Sequence, residues 1–337
     1  MWIDNFSLLK HNTFGIDARC ARFSEYASEE ELRALILALR ERFPQAPVLC
    51  VGKGSNLLFT SDFHGTVLHS SMRDVHVIDD GNVLVTAGSG WIWDDFVAYC
   101  VENGWYGLEN LSYIPGTVGA SAVQNIGAYG AEVEQFITQV RCLDLKTGEP
   151  RVFSHDDLHY GYRQSAFKQD LKGRYAVTAV TFRLSTTFTP QTSYGSLGKE
   201  IAVRGLEKGL TPEALRALII EIRQSKLPEP SELGNAGSFF MNPVVSQAKF
   251  EALQREYPDV PHFSAPNGVK VPAGWLIERC GWKGRRLGAA GVYEKQALVL
   301  VNHGGAVGSD IVRLSDAVCA DVKAKFGIAI KPEVNFI

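Results

Sequence analysis

Residues 114–130 read Ile-Pro-Gly-Thr-Val-Gly-Ala-Ser-Ala-Val-Gln-Asn-Ile-Gly-Ala-Tyr-Gly, a run with four glycines, three alanines and no charged side chain. Glycine accepts positive φ and carries no Cβ, so such a backbone comes close to whatever lies beside it. Two outcomes fit the run: a cradle whose amides face the phosphates of a large cofactor, or a tight turn packed between buried elements. A second small-residue segment, Val51-Gly52-Lys53-Gly54-Ser55-Asn56-Leu57-Leu58-Phe59, follows an expected strand at 48–51. It has Leu57 where a dinucleotide fingerprint needs its third glycine, and it continues as another strand rather than a helix. No Walker-type loop and no Gly-x-Ser-x-Gly elbow occurs, because Gly119-Ala120-Ser121-Ala122 runs on into Val123. A cofactor held by these segments therefore implies a fold other than the Rossmann type.

A chain of 337 residues is long enough for two or three domains with substantial cores. Its 34 basic and 37 acidic side chains leave a net charge of −3, with no basic block or basic-aromatic stripe, which argues against nucleic acid as a partner. The six cysteines, Cys20, Cys50, Cys100, Cys142, Cys280 and Cys319, form no Cys-x-x-Cys pair or Cys-His cluster. They read as buried free thiols of a cytoplasmic protein, and no metal site is expected. The first residues, Met-Trp-Ile-Asp-Asn-Phe, lack a positive leader, and no apolar run reaches membrane length.

Ser28-Glu29-Glu30-Glu31 has capping-box spacing before Leu32, Leu35, Ile36 and Leu39, predicting a helix to about Arg42. Alternation at Val75/Val77 and Val83/Val85 around Asp79-Asp80-Gly81-Asn82 predicts a hairpin, and Lys146-Thr147-Gly148-Glu149 predicts a second. Trp93, Phe96, Val97, Cys100 and Val101 mark a helix stopped at Asn103-Gly104. Thr211-Pro212-Glu213 opens a helix that Pro228 and Pro230 close, and a domain boundary is placed there. Further helices are expected at 248–256, at 272–280 and from a Ser309 cap to Phe326, with a strand at 297–301. Between them, residues 184–198 form a long polar connection carrying Tyr194, of the kind that often serves as a lid.

Residues 234–243, Gly-Asn-Ala-Gly-Ser-Phe-Phe-Met-Asn-Pro, set Ser238 in a bend that either positions its hydroxyl for chemistry or caps a helix. Together with Asn12-Thr13-Phe14-Gly15, the 52–59 segment, Gly107-Leu108-Glu109-Asn110, the 114–130 run, Gly161-Tyr162-Arg163-Gln164-Ser165, Lys226-Leu227-Pro228 and Pro332-Glu333-Val334, this segment closely resembles the UDP-N-acetylenolpyruvoylglucosamine reductase family. The resemblance covers nearly the whole chain in order. It implies an α+β fold with a two-part FAD-binding region of the vanillyl-alcohol-oxidase/PCMH-like type and a C-terminal α+β substrate-binding domain. The corresponding boundaries are 1–71, 72–226 with the substrate loop 184–198, and 227–337.

The resemblance also implies the chemistry: NADPH reduces a non-covalent FAD, which reduces the enolpyruvyl ether of a UDP-sugar to UDP-N-acetylmuramate for peptidoglycan synthesis. Arg163 matches the family's carboxylate clamp, Ser238 its proton donor and Glu333 its third catalytic group. A planar guanidinium suits a carboxylate, and a hydroxyl can protonate a strongly basic enolate. FAD contacts are expected from Gly52, Gly54, Ser55, Asn56, Pro115, Gly116, Gly119, Asn125, Gly127 and Arg223. Substrate contacts are expected from Tyr129, Tyr162, Tyr194, Lys226, Asn242 and Gln296, with Tyr194 covering the diphosphate. A cytoplasmic monomer is expected.

Two positions depart from the family pattern. Met241 stands where a basic residue is common, and Lys331 where an acidic one is frequent. Two other readings differ at the same residues: a related oxidase using O₂, which commonly attaches flavin through a His or Cys absent from 52–59, and a non-catalytic nucleotide-sugar binder, for which Arg163, Ser238 and Glu333 would have no use.

Overall fold

A computed structural model describes residues 1–79 and 82–337, with Ser196 described by its backbone alone. The tip of the first predicted hairpin, Asp80-Gly81, lies outside the described residues. The chain divides into two units, each assembled from separated segments: Met1–Phe6, Cys20–Lys53 and His64–Arg223 in one, Ser7–Arg19, Gly54–Phe63 and Gln224–Ile337 in the other.

The first unit holds two sheets. One orders its strands as Ile3–Ser7, Arg19–Tyr26, Phe63–Ser70, Val48–Cys50, the last pair parallel. The other runs Pro150–Ser154, Ile137–Asp144, Tyr175–Leu184, Val83–Gly88, Val75–Asp79, antiparallel throughout. Both predicted hairpins form. Helix α1 (Glu29–Arg42) starts as its sequence dictates, the Ser28 hydroxyl accepting from the Glu31 amide at 3.1 Å. Its apolar stripe, Leu32, Leu35, Ile36 and Leu39, closes a core with Tyr26, Leu68, Leu143 and Ala176, which joins the two sheets. Helix α2 (Trp93–Glu102) and the short α3 (Val118–Gln124) bury Trp93, Phe96, Val97, Val118 and Ala122 against Val85, Val180 and Phe182. Helix α4 (Gly195–Val203) was not expected: it occupies the end of the polar connection and packs Leu197 and Ile201 against Leu215, Leu218, Ile219 and Ile222 of α5 (Pro212–Lys226). Its two buried apolar positions, Leu197 and Ile201, lie one turn apart and gave no sustained helical period in sequence.

The second unit orders four antiparallel strands as Gly234–Ser238, Val299–Asn302, Ala290–Val292, Arg286–Leu287. Helices α6 (Gln247–Glu256), α7 (Ala273–Arg279) and α8 (Gly308–Phe326) accompany them, α8 burying Ile311, Leu314, Val318 and Val322. Asn335–Phe336 pairs in parallel with Leu57–Leu58, so the chain's last strand continues the segment after the first small-residue loop. Ser309 is not the cap of α8. Val307 is, its amide bonded to the Asp310 carboxylate at 3.0 Å, because that carboxylate reaches back one turn. The thiol expectation also needs correcting: Cys20, Cys100 and Cys142 are buried, but Cys50 is exposed and Cys280 and Cys319 are half-buried. Cys50 ends an edge strand and is reached by solvent, although the protein around it pushes its thiol pKa up to about 12.

Candidate active site

In the first unit the two small-residue segments abut. A Cβ on Gly52 would lie 2.6 Å from the Thr117 hydroxyl, closer than any side chain tolerates. Gly119 is equally constrained, its Cβ position being 2.7 Å from the Ser89 Cβ. Gly116, at φ +144°, holds a conformation that favours glycine. Gly52 and Gly119 thus let backbone pack directly against neighbouring protein atoms, and the backbone they shape is the candidate cofactor cradle. The source of its donors differs from expectation, however, because the first amides of α3 are committed inside the protein. Val118 donates to Trp91 O at 2.9 Å, Gly119 to Ser89 O at 3.0 Å and Ala120 to the Thr117 hydroxyl at 3.4 Å. Gly119 thus serves close packing rather than presenting its amide, and a helix of about two turns is satisfied by its neighbours.

Six non-glycine residues among those described have positive φ, and four of them, Tyr113, Asn125, Tyr129 and Arg163, lie in or beside the predicted site segments. Such strain persists only where surroundings enforce it, and it concentrates at functional sites. Arg163 sits in a tight turn closed by Gly161 and Gln164. Its Nη2 donates to Gly127 O at 2.8 Å and its Nη1 to Asn125 O at 3.3 Å, so the 114–130 run grips the guanidinium directly. Tyr162 places its ring 5.6 Å from the Arg163 guanidinium carbon. Asn125 is fully buried, and its side chain bonds to Gly161 O, Glu132 and the Glu134 amide.

Arg223 donates from Nε to Tyr113 O at 3.1 Å. Burial lowers its pKa, opposed by the charges of Tyr129, Asp94 and Tyr113 and reinforced by Arg163. Tyr129 has its hydroxyl pKa raised by burial, with Arg223 pulling it down and Tyr194 pushing it up. These residues therefore share one electrostatic neighbourhood. Tyr194 is about half exposed, at 46%, and a Cβ on Gly130 would lie 3.1 Å from its own Cβ. Pro115 lies exposed at the entrance to the run.

Two residues that sequence reasoning left without a role, Asn110 inside a motif and Arg216 outside all of them, hold this region together. Asn110 is buried and donates from Nδ2 to Tyr129 O at 2.9 Å and to Gln191 O at 2.8 Å, tying the glycine run to the polar connection. Arg216 on α5 forms a bidentate pair with Asp94 on α2, at 2.7 and 3.0 Å. Helical spacing could place Arg216 on an inward face, but nothing in sequence pairs it with Asp94.

In the second unit Ser238 ends its strand exposed, after Gly237 at φ +66°, while Phe239 and Phe240 are buried. It caps no helix. The Glu333 amide donates to Phe239 O at 2.8 Å and the Met241 amide to Lys331 O at 3.0 Å, so 239–241 and 331–333 run antiparallel in register. The two departures from the family pattern are therefore backbone partners. Asn242 Oδ1 accepts from the Ala273 amide at 2.9 Å, and Gln296 Oε1 from the Leu298 amide at 3.3 Å. Both side-chain amides thus have their acceptor engaged inside the protein and their Nδ2 or Nε2 as the donating end. Lys226 is exposed at the end of α5. Gly54, at φ +65°, would place a Cβ 2.0 Å from His11 O, and the neighbouring Asn56 O accepts from the Asn335 amide at 3.1 Å. Ser55 and Asn56 are half-buried beside it. Among the described residues no cluster of His, Cys, Asp or Glu could hold a metal ion, and no helix is long and apolar enough to cross a membrane.

Residues 21–154 match a family model described as FAD binding domain, and residues 229–337 match UDP-N-acetylenolpyruvoylglucosamine reductase, C-terminal domain. A UDP-N-acetylenolpyruvoylglucosamine reductase of Bacteroides fragilis strain YCH46 is 53% identical over 337 residues, covering 98% of this chain and 99% of the relative. One of Porphyromonas gingivalis strain ATCC 33277 is 49% identical, covering 99% and 98%. The crystal structure of UDP-N-acetylenolpyruvylglucosamine reductase (MurB) from Thermus caldophilus shares the fold at a TM-score of 0.68 and 21% identity, covering 100% of this chain and 99% of that one.

Proposed function

The chain belongs to the UDP-N-acetylenolpyruvoylglucosamine reductase family, and from that membership we propose how its residues divide the work. It is an FAD-containing, NADPH-dependent oxidoreductase of peptidoglycan synthesis that converts the enolpyruvyl ether of a UDP-sugar to UDP-N-acetylmuramate. The observation that supports the division best is the in-register pairing of the Ser238 and Glu333 segments, two catalytic candidates from opposite ends of the second unit's last segment, Gln224–Ile337.

When bound and reduced by NADPH, FAD would supply the hydride for the terminal carbon of the enolpyruvyl group. Negative charge then develops on the inner carbon and the substrate carboxylate, and the protein must meet it. Arg163 clamps the carboxylate: its guanidinium stays charged and is aimed in advance by the carbonyls of Asn125 and Gly127. Ser238 donates the proton to the inner carbon. A hydroxyl is a weak acid, so this role requires an acceptor as basic as an enolate. Glu333, held beside Phe239, polarises that transfer.

Diphosphate oxygens accept from Lys226, from the Nδ2 of Asn242, whose Oδ1 is already engaged at Ala273, and from the Tyr194 hydroxyl. Gln296, Tyr129 and Tyr162 complete the substrate contacts. FAD is held by the backbone of Gly52, Gly54, Ser55, Asn56, Pro115, Gly116 and Gly127 and by Arg223. The boundaries 1–71, 72–226 and 227–337, a monomeric state and a cytoplasmic location complete the reading.

Anaerobic mixing of photoreduced enzyme with the enolpyruvyl UDP-sugar tests it. Rapid return of the flavin absorbance, with solvent deuterium on the inner carbon of product made in D₂O, is expected. Reoxidation by O₂ alone, with no response to the sugar, would replace the reductase reading by the oxidase one.

A further inference from the structure

We propose that Asn125 is a positioning residue for Arg163, holding the turn that carries the guanidinium without itself touching substrate or cofactor. The proposal rests on Arg163 as the carboxylate clamp. Arg163 occupies a left-handed conformation, φ +56°, in a turn whose ends exchange two backbone bonds, Gly161 N to Gln164 O at 3.2 Å and Gln164 N to Gly161 O at 2.8 Å. A non-glycine residue stays there only when neighbours enforce it.

Asn125 supplies that enforcement from the end of α3. Its Nδ2 donates to Gly161 O at 2.8 Å, fixing the base of the turn, and to Glu132 Oε2 at 2.8 Å. Its Oδ1 accepts from the Glu134 amide at 3.2 Å. Its own carbonyl accepts from Arg163 Nη1 at 3.3 Å, while Gly127 O takes Nη2 at 2.8 Å. One fully buried residue therefore bonds both the Gly161 carbonyl at the base of the turn and the head group of Arg163. Both Nδ2 hydrogens are committed, and a phosphate, which only accepts, could bind that side chain through nothing else. This separates positioning from the cofactor contact expected of Asn125 in sequence.

Two variants isolate the side chain. Asn125→Gly keeps the left-handed backbone, φ +44°, at no steric cost and deletes the amide. Asn125→Asp keeps shape and volume but turns an oxygen toward Gly161 O and the Glu132 carboxylate. On the holoenzyme, both should retain FAD. Oxidation of the photoreduced flavin by the enolpyruvyl UDP-sugar should slow by about 10- to 100-fold, the effect of misplacing a catalytic group by an ångström or less. Flavin reduction by NADPH should change much less, and hydrogen exchange across 160–168 should rise. In an Arg163→Gln background, adding Asn125→Gly should cost little more, because the two act as one unit.

Wild-type oxidation rates with unchanged exchange at 160–168 would overturn the proposal. So would loss of FAD, or an equal slowing of both half-reactions, which would make Asn125 a cofactor ligand. If Arg163→Gln alone left oxidation unaffected, the clamp assignment would fall separately, and the exchange data would still decide whether Asn125 holds the turn.

Discussion

The Glu333 amide donates to the Phe239 carbonyl at 2.8 Å, which sets Glu333 in register beside the residue that follows Ser238. That bond fixes two chain segments that the sequence keeps far apart, and it does so through backbone, independently of either side chain. The site can therefore lose a functional group at either position without losing the pairing, which makes side-chain substitutions interpretable.

Ser238→Ala should retain FAD and near-normal reduction by NADPH, since that half-reaction creates no substrate enolate. Oxidation of reduced flavin by the UDP-sugar should fall by about 10² to 10⁴, the usual loss on removing a general acid. Ser238→Cys should keep far more activity, because a thiol also donates. Single-turnover absorbance traces distinguish the cases, and a wild-type rate in the Ala variant would reduce Ser238 to a strand-end residue.

Tyr194→Phe should raise the Kd for the UDP-sugar about 10- to 100-fold, the worth of one hydrogen bond to a charged group, and spare flavin reduction. Gly130→Val should act in the same direction by pushing on Tyr194, given the 3.1 Å approach of a Cβ at Gly130 and its φ of +86°. Titration of substrate into oxidised enzyme, followed by the flavin spectrum, measures both. Unchanged affinity in Tyr194→Phe would count against a covering role.

Gly54→Ala combines a left-handed backbone with a Cβ 2.0 Å from the His11 carbonyl, which cannot yield as a flexible side chain would. A destabilisation of about 2 to 5 kcal/mol is expected from conformational strain and overpacking together. Thermal unfolding reads it. In the wild type, acid precipitation should leave FAD in the supernatant, and flavin retained in the pellet would contradict non-covalent binding.

Asp144 gives the sheet a defined acid response. Burial would raise its pKa, but the Lys146 and Thr147 amides and the Arg174 guanidinium outweigh that and hold it below the usual carboxylate value. A depressed folded pKa means stabilisation present above the unfolded pKa of about 3.9 and lost as pH falls through the folded value. Asp144→Ala should thus cost about 1 to 3 kcal/mol near neutrality, with the difference from wild type shrinking below about pH 4. Urea unfolding at several pH values checks this, and a difference independent of pH would refute it.

The α+β class, the principal helices and both hairpins were legible because each rests on local chemistry: the Ser28 cap, the Leu32-to-Leu39 stripe, the alternation around Val83 and Val85. Side-chain period and capping act over one or two turns, so a single sequence displays them directly. The family motifs were legible for the same reason, as short runs that need no knowledge of what faces them.

Tertiary structure alone decided what those runs do for one another. The amides of Val118, Gly119 and Ala120 look available in sequence but are taken by Trp91, Ser89 and Thr117, while the gripping contacts of the glycine run go to Arg163 instead. Met241 and Lys331 read as two unrelated departures and are backbone partners in register. Asn110 and Asn125 carry no distinguishing pattern, since an asparagine reads alike whether its amide faces water or holds two distant carbonyls. Period and capping are local properties of a chain, whereas the partner of a buried polar group is set by which segments the core brings together, and that is fixed only when the chain folds.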